Sequence, residues 1–278
     1  MIAVTVVLAA VLGLLLLGSF LNVVVYRVPI GRSIVSPPSA CPNCHHEIAP
    51  YDNIPVMSWL LLRGKCRSCA VPISARYPLV ELATSASFAL VALGFAPDCF
   101  AATTSAGAVA AVLIMVAFLY LAAITIALAL IDLDVHKLPN VIVIPAYGVS
   151  AALFAAASIL SGDFGPLIGS GIAMTALFVF YLLMAIVYPG GMGFGDVKLA
   201  GVLGIYLGWA GWGAVAVGAF SAFLLAGVFS IILLATKRAG RKSGIPFGPW
   251  MFAGAWLGVV VGNSVFASYL SVFDLTVA

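Results

Sequence analysis

Apolar runs of about 20 residues recur along almost the whole chain, and nothing else constrains its fold as strongly. A helix of that length crosses the hydrocarbon layer of a bilayer, where every backbone polar group must be bonded within the protein. The first run is Ile2 to about Val25, and further spans are expected near 79–97, 106–130, 141–160, 167–188, 197–209, 212–235 and 248–271. Composition agrees: the chain is 64% hydrophobic and only 8% charged, where a soluble domain carries roughly 25% charged residues. The expected class is an all-α polytopic membrane protein with about eight transmembrane helices.

The first run starts directly after Met1 with no basic stretch before it, and no A-x-A site follows, so it reads as a retained helix rather than a cleaved signal peptide. It ends in small Gly18 and Ser19, suited to close helix packing, and in Asn22, suited to a hydrogen bond across helices. The segment near 197–209 is short and Gly-rich, and is expected to be tilted, broken or packed inside the bundle. Only 27–78 makes a substantial polar region. Three parts follow: a first transmembrane helix over 1–26, a small extramembrane domain over 27–78, and a transmembrane bundle over 79–278.

Charge placement orients these parts. All twelve Lys and Arg fall in or beside 27–78, 131–140, 189–198 and 236–247. Eight spans place those four segments on one side, which the positive-inside rule makes cytoplasmic, with both termini on the other. The cluster Lys237, Arg238, Arg241 and Lys242 reads as a topology determinant beside anionic membrane lipid. A net charge of +3, scattered as it is, gives no surface for nucleic acid.

Four of the five cysteines form two C-x2-C pairs, Cys41/Cys44 and Cys66/Cys69. Each pair is a turn that aims two thiolates at one ion, and two such turns complete a tetrahedron, so a small cytoplasmic four-cysteine zinc-binding domain is expected. Four sulfur ligands leave no open position, which makes the zinc structural. His45 and His46 are expected to be exposed bystanders, and Cys99 has no assigned role.

Two acidic stretches lie at the ends of apolar segments. One is Ile131-Asp132-Leu133-Asp134-Val135-His136-Lys137-Leu138-Pro139-Asn140, and the other is Gly190-Gly191-Met192-Gly193-Phe194-Gly195-Asp196. Two spans separate them, so both reach the same membrane face, and two carboxylates brought together there suit acid/base hydrolysis. Singly, each has a plainer reading: a polar helix end for Asp132 and Asp134, a helix N-cap for Asp196. Asp132 is nearer the apolar segment than Asp134 and is the expected partner of Asp196. Glu81 reads as an acid in the first turn of a helix opened by Pro78, with neutralisation of a cation as the functional alternative. The glycines at 191, 193 and 195 are no dinucleotide loop, because no strand precedes them.

Gly193-Phe194-Gly195-Asp196 resembles the G-x-G-D signature of membrane aspartic peptidases, and Asp132 to Pro139 resembles the D-x6-P element of type IV prepilin peptidases. The 18–29 element, both cysteine pairs, 52–60, 73–81 and Ile245-Pro246-Phe247-Gly248-Pro249 resemble the same family, so the likeness spans most of the chain. It implies an aspartic endopeptidase of the bacterial inner membrane, with Asp132 and Asp196 catalytic at the cytoplasmic face. It also implies removal of a basic leader from type IV prepilins or pseudopilins of pilus, type II secretion or competence systems. A second activity, N-methylation of the new amino terminus by S-adenosylmethionine, is implied by the resemblance alone. The competing classes are an ion- or proton-coupled transporter with a regulatory zinc domain, and a non-enzymatic assembly scaffold.

Overall fold

The computed structural model describes residues 1–188, 191–237 and 244–273. Its helices are α1 (Ile2–Ile30), α2 (Met57–Leu61), α3 (Arg76–Ala101), α4 (Ser105–Val135), α5 (Asn140–Ser161), α6 (Gly165–Val187), α7 (Phe194–Ala210), α8 (Trp212–Ala235) and α9 (Gly248–Ser271). Among the described residues there is no strand, only isolated bridges pairing Ala40 with Glu47 and Lys65 with Pro72. Seven helices, all except α2 and α7, are long and apolar enough to cross a membrane. The chain is an all-helical, multi-pass membrane protein. The span expected at 197–209 is α7, a helix of 17 residues in which everything from Leu199 to Gly208 is buried. It is packed within protein, one of the three outcomes expected of it.

The chain divides into two compact units, Met1–Ala127 and Leu128–Ala278, with α4 running from one into the other. In the first, α1 lies against α3 at two glycines. An added Cβ would stand 3.0 Å from the Phe88 Cβ at Gly13 and 2.9 Å from the Glu81 Cα at Gly18. Ser85 Oγ donates to the Ala10 carbonyl at 2.9 Å, and Asn22 Nδ2 donates to the Tyr77 carbonyl at 3.2 Å. Asn22 thus makes the cross-helix bond its position predicts.

Glu81 departs from its expected place. Helix α3 begins at Arg76, before Pro78, so Glu81 lies beyond the first turn, buried and accepting a 2.8 Å bond from the Val56 N–H. Val56 has φ +61, a backbone state that leaves its N–H without a helical partner, and the glutamate supplies one.

In the second unit small residues four apart set the packing. Gly204 and Gly208 of α7 meet the backbone of Ala173 and Gly169 of α6; Gly254, Gly258 and Gly262 of α9 meet the backbone around Gly218, Ala222 and Ala214 of α8. In hydrocarbon, helix association depends on such close van der Waals approach and on interhelical hydrogen bonds. Asn263 supplies two of the latter at the α7–α8 turn. Its Nδ2 donates to the Ala210 carbonyl at 2.7 Å, and its Oδ1 accepts from the Ala214 N–H at 3.2 Å.

Candidate active site

The acid stretch expected as a loop over 131–140 is helical for its first half. No helix breaker precedes Pro139, so α4 continues to Val135 and Asp132 lies in its last turns. The His136 N–H donates to the Asp132 carbonyl at 2.9 Å, and His136 turns the chain out at φ +52. Pro139 excludes the helical state at Leu138 and caps α5. Asp132 is buried, at 5% exposure, whereas Asp134 is exposed, which separates the two acids as their spacing predicts.

Asp196 is the third residue of α7 rather than its N-cap, and Gly193 takes the cap position. Its Oδ2 accepts the Gly193 N–H at 3.1 Å, and its own N–H donates to the Gly193 carbonyl at 3.0 Å. A carboxylate in the first turn satisfies an otherwise orphaned N–H and faces the positive end of the helix dipole. The lysine two residues on is also tied: Lys198 Nζ donates to Asn140 Oδ1 at 2.9 Å and stands 4.8 Å from the Phe194 ring centroid.

Three backbone segments close on one another around Leu138. An added Cβ at Gly195 would stand 3.1 Å from the Leu138 Cβ, and one at Gly248 would stand 3.4 Å from Leu138 Cδ2 and 2.8 Å from Asp132 Oδ2. At Gly248 the lack of a side chain lets the backbone N–H reach Asp132 Oδ2 at 2.9 Å. The folded unit thereby brings Asp132 and Asp196 within electrostatic reach of each other. Tyr181 of α6, 3% exposed, lies within electrostatic reach of Asp196 as well.

The family resemblance singles out 245–249, but it does not identify the Gly248 N–H as the partner of Asp132. A glycine between aromatic and proline at a helix start was the available signal. Nothing in the apolar stretch 165–187 distinguished Tyr181. Pro189, Gly190 and the basic residues Arg238, Arg241 and Lys242 lie outside the described residues, as does Asp274.

The first unit holds a second constellation, built twice over. Cys41 accepts through its carbonyl from the His45 N–H at 2.9 Å and donates its own N–H to the His46 carbonyl at 3.0 Å; Cys66 does the same with Ala70 and Val71, both at 2.9 Å. The fifth residue of each turn has positive φ, +57 at His45 and +57 at Ala70. Two equal turns thus present four thiols. The Sγ atoms of Cys41 and Cys69 are 3.7 Å apart, those of Cys44 and Cys66 are 4.0 Å apart, and all four lie within 4.8 Å of one another. Sulfurs ~2.3 Å from a tetrahedral zinc stand ~3.8 Å from each other, so the cluster fits that ion. Donation from the Val71 N–H, then from Asn43, draws the Cys69 thiol down to about 6, whereas at Cys44 the His46 backbone bond is outweighed by desolvation and the neighbouring thiols, which push the thiol up to about 11. His45 and His46 are exposed, and neither belongs to the cluster.

Around the cysteines, Trp59 Nε1 donates to the Ile73 carbonyl at 3.0 Å, and Arg67 forms a two-pronged pair with Asp52 while its guanidinium stands 5.5 Å from the Tyr51 ring centroid. The Arg67 hydrogen bonds hold the Asp52 carboxyl below its ordinary value.

Comparison with known proteins gives a consistent result. Residues 11–95 match the bacterial peptidase A24 N-terminal domain, and residues 119–235 match the type IV leader peptidase family. Among curated relatives, the prepilin leader peptidase/N-methyltransferase of Pseudomonas aeruginosa is 36% identical, over 95% of this chain and 93% of the relative. The protein of the same name from Neisseria gonorrhoeae is 35% identical over 93% of this chain and 91% of its own, and that of Myxococcus xanthus is 38% identical over 84% and 64%. No solved structure matches the chain.

Proposed function

Since the chain belongs to the type IV leader peptidase family, we propose that it is a prepilin peptidase in which Asp132 and Asp196 form the catalytic acid pair. Removal of a leader from a prepilin is the reaction its relatives' name describes, and in this reading the substrates are type IV prepilins or pseudopilins. The observation that carries the assignment is the convergence of two distant motif acids on one site, with Asp132 fixed by the Gly248 N–H and Asp196 by that of Gly193. The transporter reading has no support in the names of these relatives.

Two carboxylates at close range do not both ionise readily, so the pair holds one proton between them. The ionised member takes a proton from water as the water oxygen attacks the scissile carbonyl carbon. The protonated member donates to the carbonyl oxygen as the C=O electron pair moves onto it. On collapse an O–H of the tetrahedral species gives its proton back to the second acid as the C=O bond re-forms, the C–N bond breaks, and the leaving nitrogen takes the proton held by the first acid, so the pair again holds one proton. No covalent enzyme intermediate forms.

In this reading residues 27–78 form a cytoplasmic domain between a first membrane helix over 1–26 and a bundle over 79–278. The acids act at the cytoplasmic face of the inner membrane. Cys41, Cys44, Cys66 and Cys69 hold one structural zinc, for which their spacing and turn geometry fit. The relatives' name also carries an N-methyltransferase; in this reading S-adenosylmethionine is the methyl donor and the amine that cleavage exposes is the acceptor.

The test is purified protein in detergent, incubated with a precursor whose basic leader precedes an apolar helix and followed by mass spectrometry. The wild type is expected to release the leader, and Asp132→Asn and Asp196→Asn, both nearly isosteric, to leave the precursor whole. Cleavage by either variant at the wild-type rate would remove the assignment.

A further inference from the structure

One polar group beside the acids has no part in the reaction just described. Tyr181 is 3% exposed in a helix that is otherwise apolar at this depth, and its hydroxyl makes no hydrogen bond among the described residues. Ser158 Oγ is the only enclosed side-chain polar atom left without a partner among the described residues, so the Tyr181 hydroxyl, although its residue is buried, keeps access to open space.

Its surroundings fix where it sits. The ring is held in an aromatic cluster, with centroids 5.4 Å from Phe223 and 6.2 Å from Phe247, and these two are 5.3 Å from each other. Phe247 immediately precedes Gly248, whose N–H binds Asp132. Tyr181 also lines a cleft with Ala200, Ala222 and Met251. Ala200 is four residues beyond Asp196 on α7, the next position on the same helix face, and Met251 is three beyond Gly248 on α9. The cleft therefore lies about one helical turn further into the bundle than Asp196 and Gly248, with the tyrosine in its wall. Asp196 acts electrostatically on that hydroxyl.

We propose that the Tyr181 hydroxyl is a further catalytic residue, a neutral donor that holds the carbonyl oxygen of the scissile peptide bond beside the two acids. The inference rests on the peptidase reading given above. As water adds to the carbonyl carbon, the C=O electron pair moves onto oxygen. The protonated acid supplies that oxygen with a proton, and the tyrosine O–H supplies a second hydrogen bond without giving its proton up. On collapse the proton returns from the tetrahedral species to that acid as the C=O bond re-forms and the C–N bond breaks to the nitrogen protonated by the other acid, and the hydroxyl is unchanged. A donor fixed in a dry, apolar wall is effective there because it needs no reorganisation as charge develops. The bond strengthens as the carbonyl oxygen gains charge, so it favours the transition state over the bound substrate.

The experiment is Tyr181→Phe, which keeps the ring in the aromatic cluster and removes only the hydroxyl, assayed beside the wild type and Asp196→Asn with the same precursor. A kcat lowered about 100-fold, as for loss of one oxyanion donor, with KM within about twofold, is expected. A kcat within twofold of wild type, or a raised KM with kcat unchanged, would overturn the assignment. If Tyr181→Phe is less stable by thermal unfolding, 3-fluorotyrosine at position 181 becomes the probe, since it keeps the ring in place and alters donor strength. A changed kcat then supports the proposal, and an unchanged one overturns it. The two readings fail separately. An active Tyr181→Phe beside an inactive Asp196→Asn removes the tyrosine alone, whereas an active Asp196→Asn removes the acid pair beneath it.

Discussion

The cysteine cluster and the proposed acid pair both depend on drawing separate parts of the chain together, over very different lengths of chain. Each cysteine turn is closed by backbone bonds within six residues, and the two turns are joined by the span from Cys41 to Cys69. The acid site instead needs Asp132, Asp196 and Gly248, and the Asp132–Gly248 bond alone closes 116 residues. Local turns can orient thiols before the rest of the molecule forms, with the ion supplying the remaining order. The acids have no such local support. Their geometry exists only if α4, α7 and α9 are packed correctly, and glycines at 195 and 248 are what allow that approach.

That contrast can be broken in order of expected effect. Asp196→Asn should lower cleavage the most, by about 10⁴-fold or more, as removal of a catalytic group does, while zinc content stays at the wild-type level. Loss of zinc from this variant, measured by elemental analysis, would mean the two sites are not independent. Gly248→Ala should come next. Its methyl group would stand 2.8 Å from Asp132 Oδ2, and displacing a reacting group by ~1 Å costs about 100-fold in rate. Wild-type turnover by Gly248→Ala would show that the bond to Asp132 is dispensable.

Cys41→Ser should act on the other region. Zinc should fall from about one per chain, and residues 30–77 should become sensitive to protease. Full zinc content after removal of both cysteine pairs would place the metal elsewhere. The smallest effect belongs to Arg67→Ala. Asp52 is held below its ordinary value by Arg67, so the pair stabilises the folded domain above the unfolded carboxyl value of ~4 and ceases to do so as pH falls through the folded one. The protease-sensitivity difference between wild type and Arg67→Ala should therefore be present at neutral pH and vanish in acid. A difference that grows in acid would contradict the pairing.

The same contrast explains what was legible in the sequence. The cysteine turns, the membrane runs and the two acid motifs are local patterns, and each could be read without a fold. The different environments of Asp132 and Asp134 were readable too, because residues two apart on a helix point in different directions, and only Asp132 is buried. The extension of α4 past Asp132 was missed because acids at the end of an apolar run look like a loop, although no breaker occurs before Pro139. Glu81 was misplaced for a related reason: Pro78 marks a helix start only when the helix does not begin earlier, and here it begins at Arg76. The Gly248 donor and Tyr181 were out of reach of the sequence, since their roles depend on which helix faces meet.

The central claim is that Asp132 and Asp196 act as one unit, and a double-substitution cycle tests it most directly. Leader release is measured for Asp132→Asn, Asp196→Asn and the protein carrying both. Groups that share one function lose it together, so each single change should remove nearly all activity and the double should be no worse than either. Losses that multiply in the double variant, or a single variant that keeps the wild-type rate, would contradict the pair.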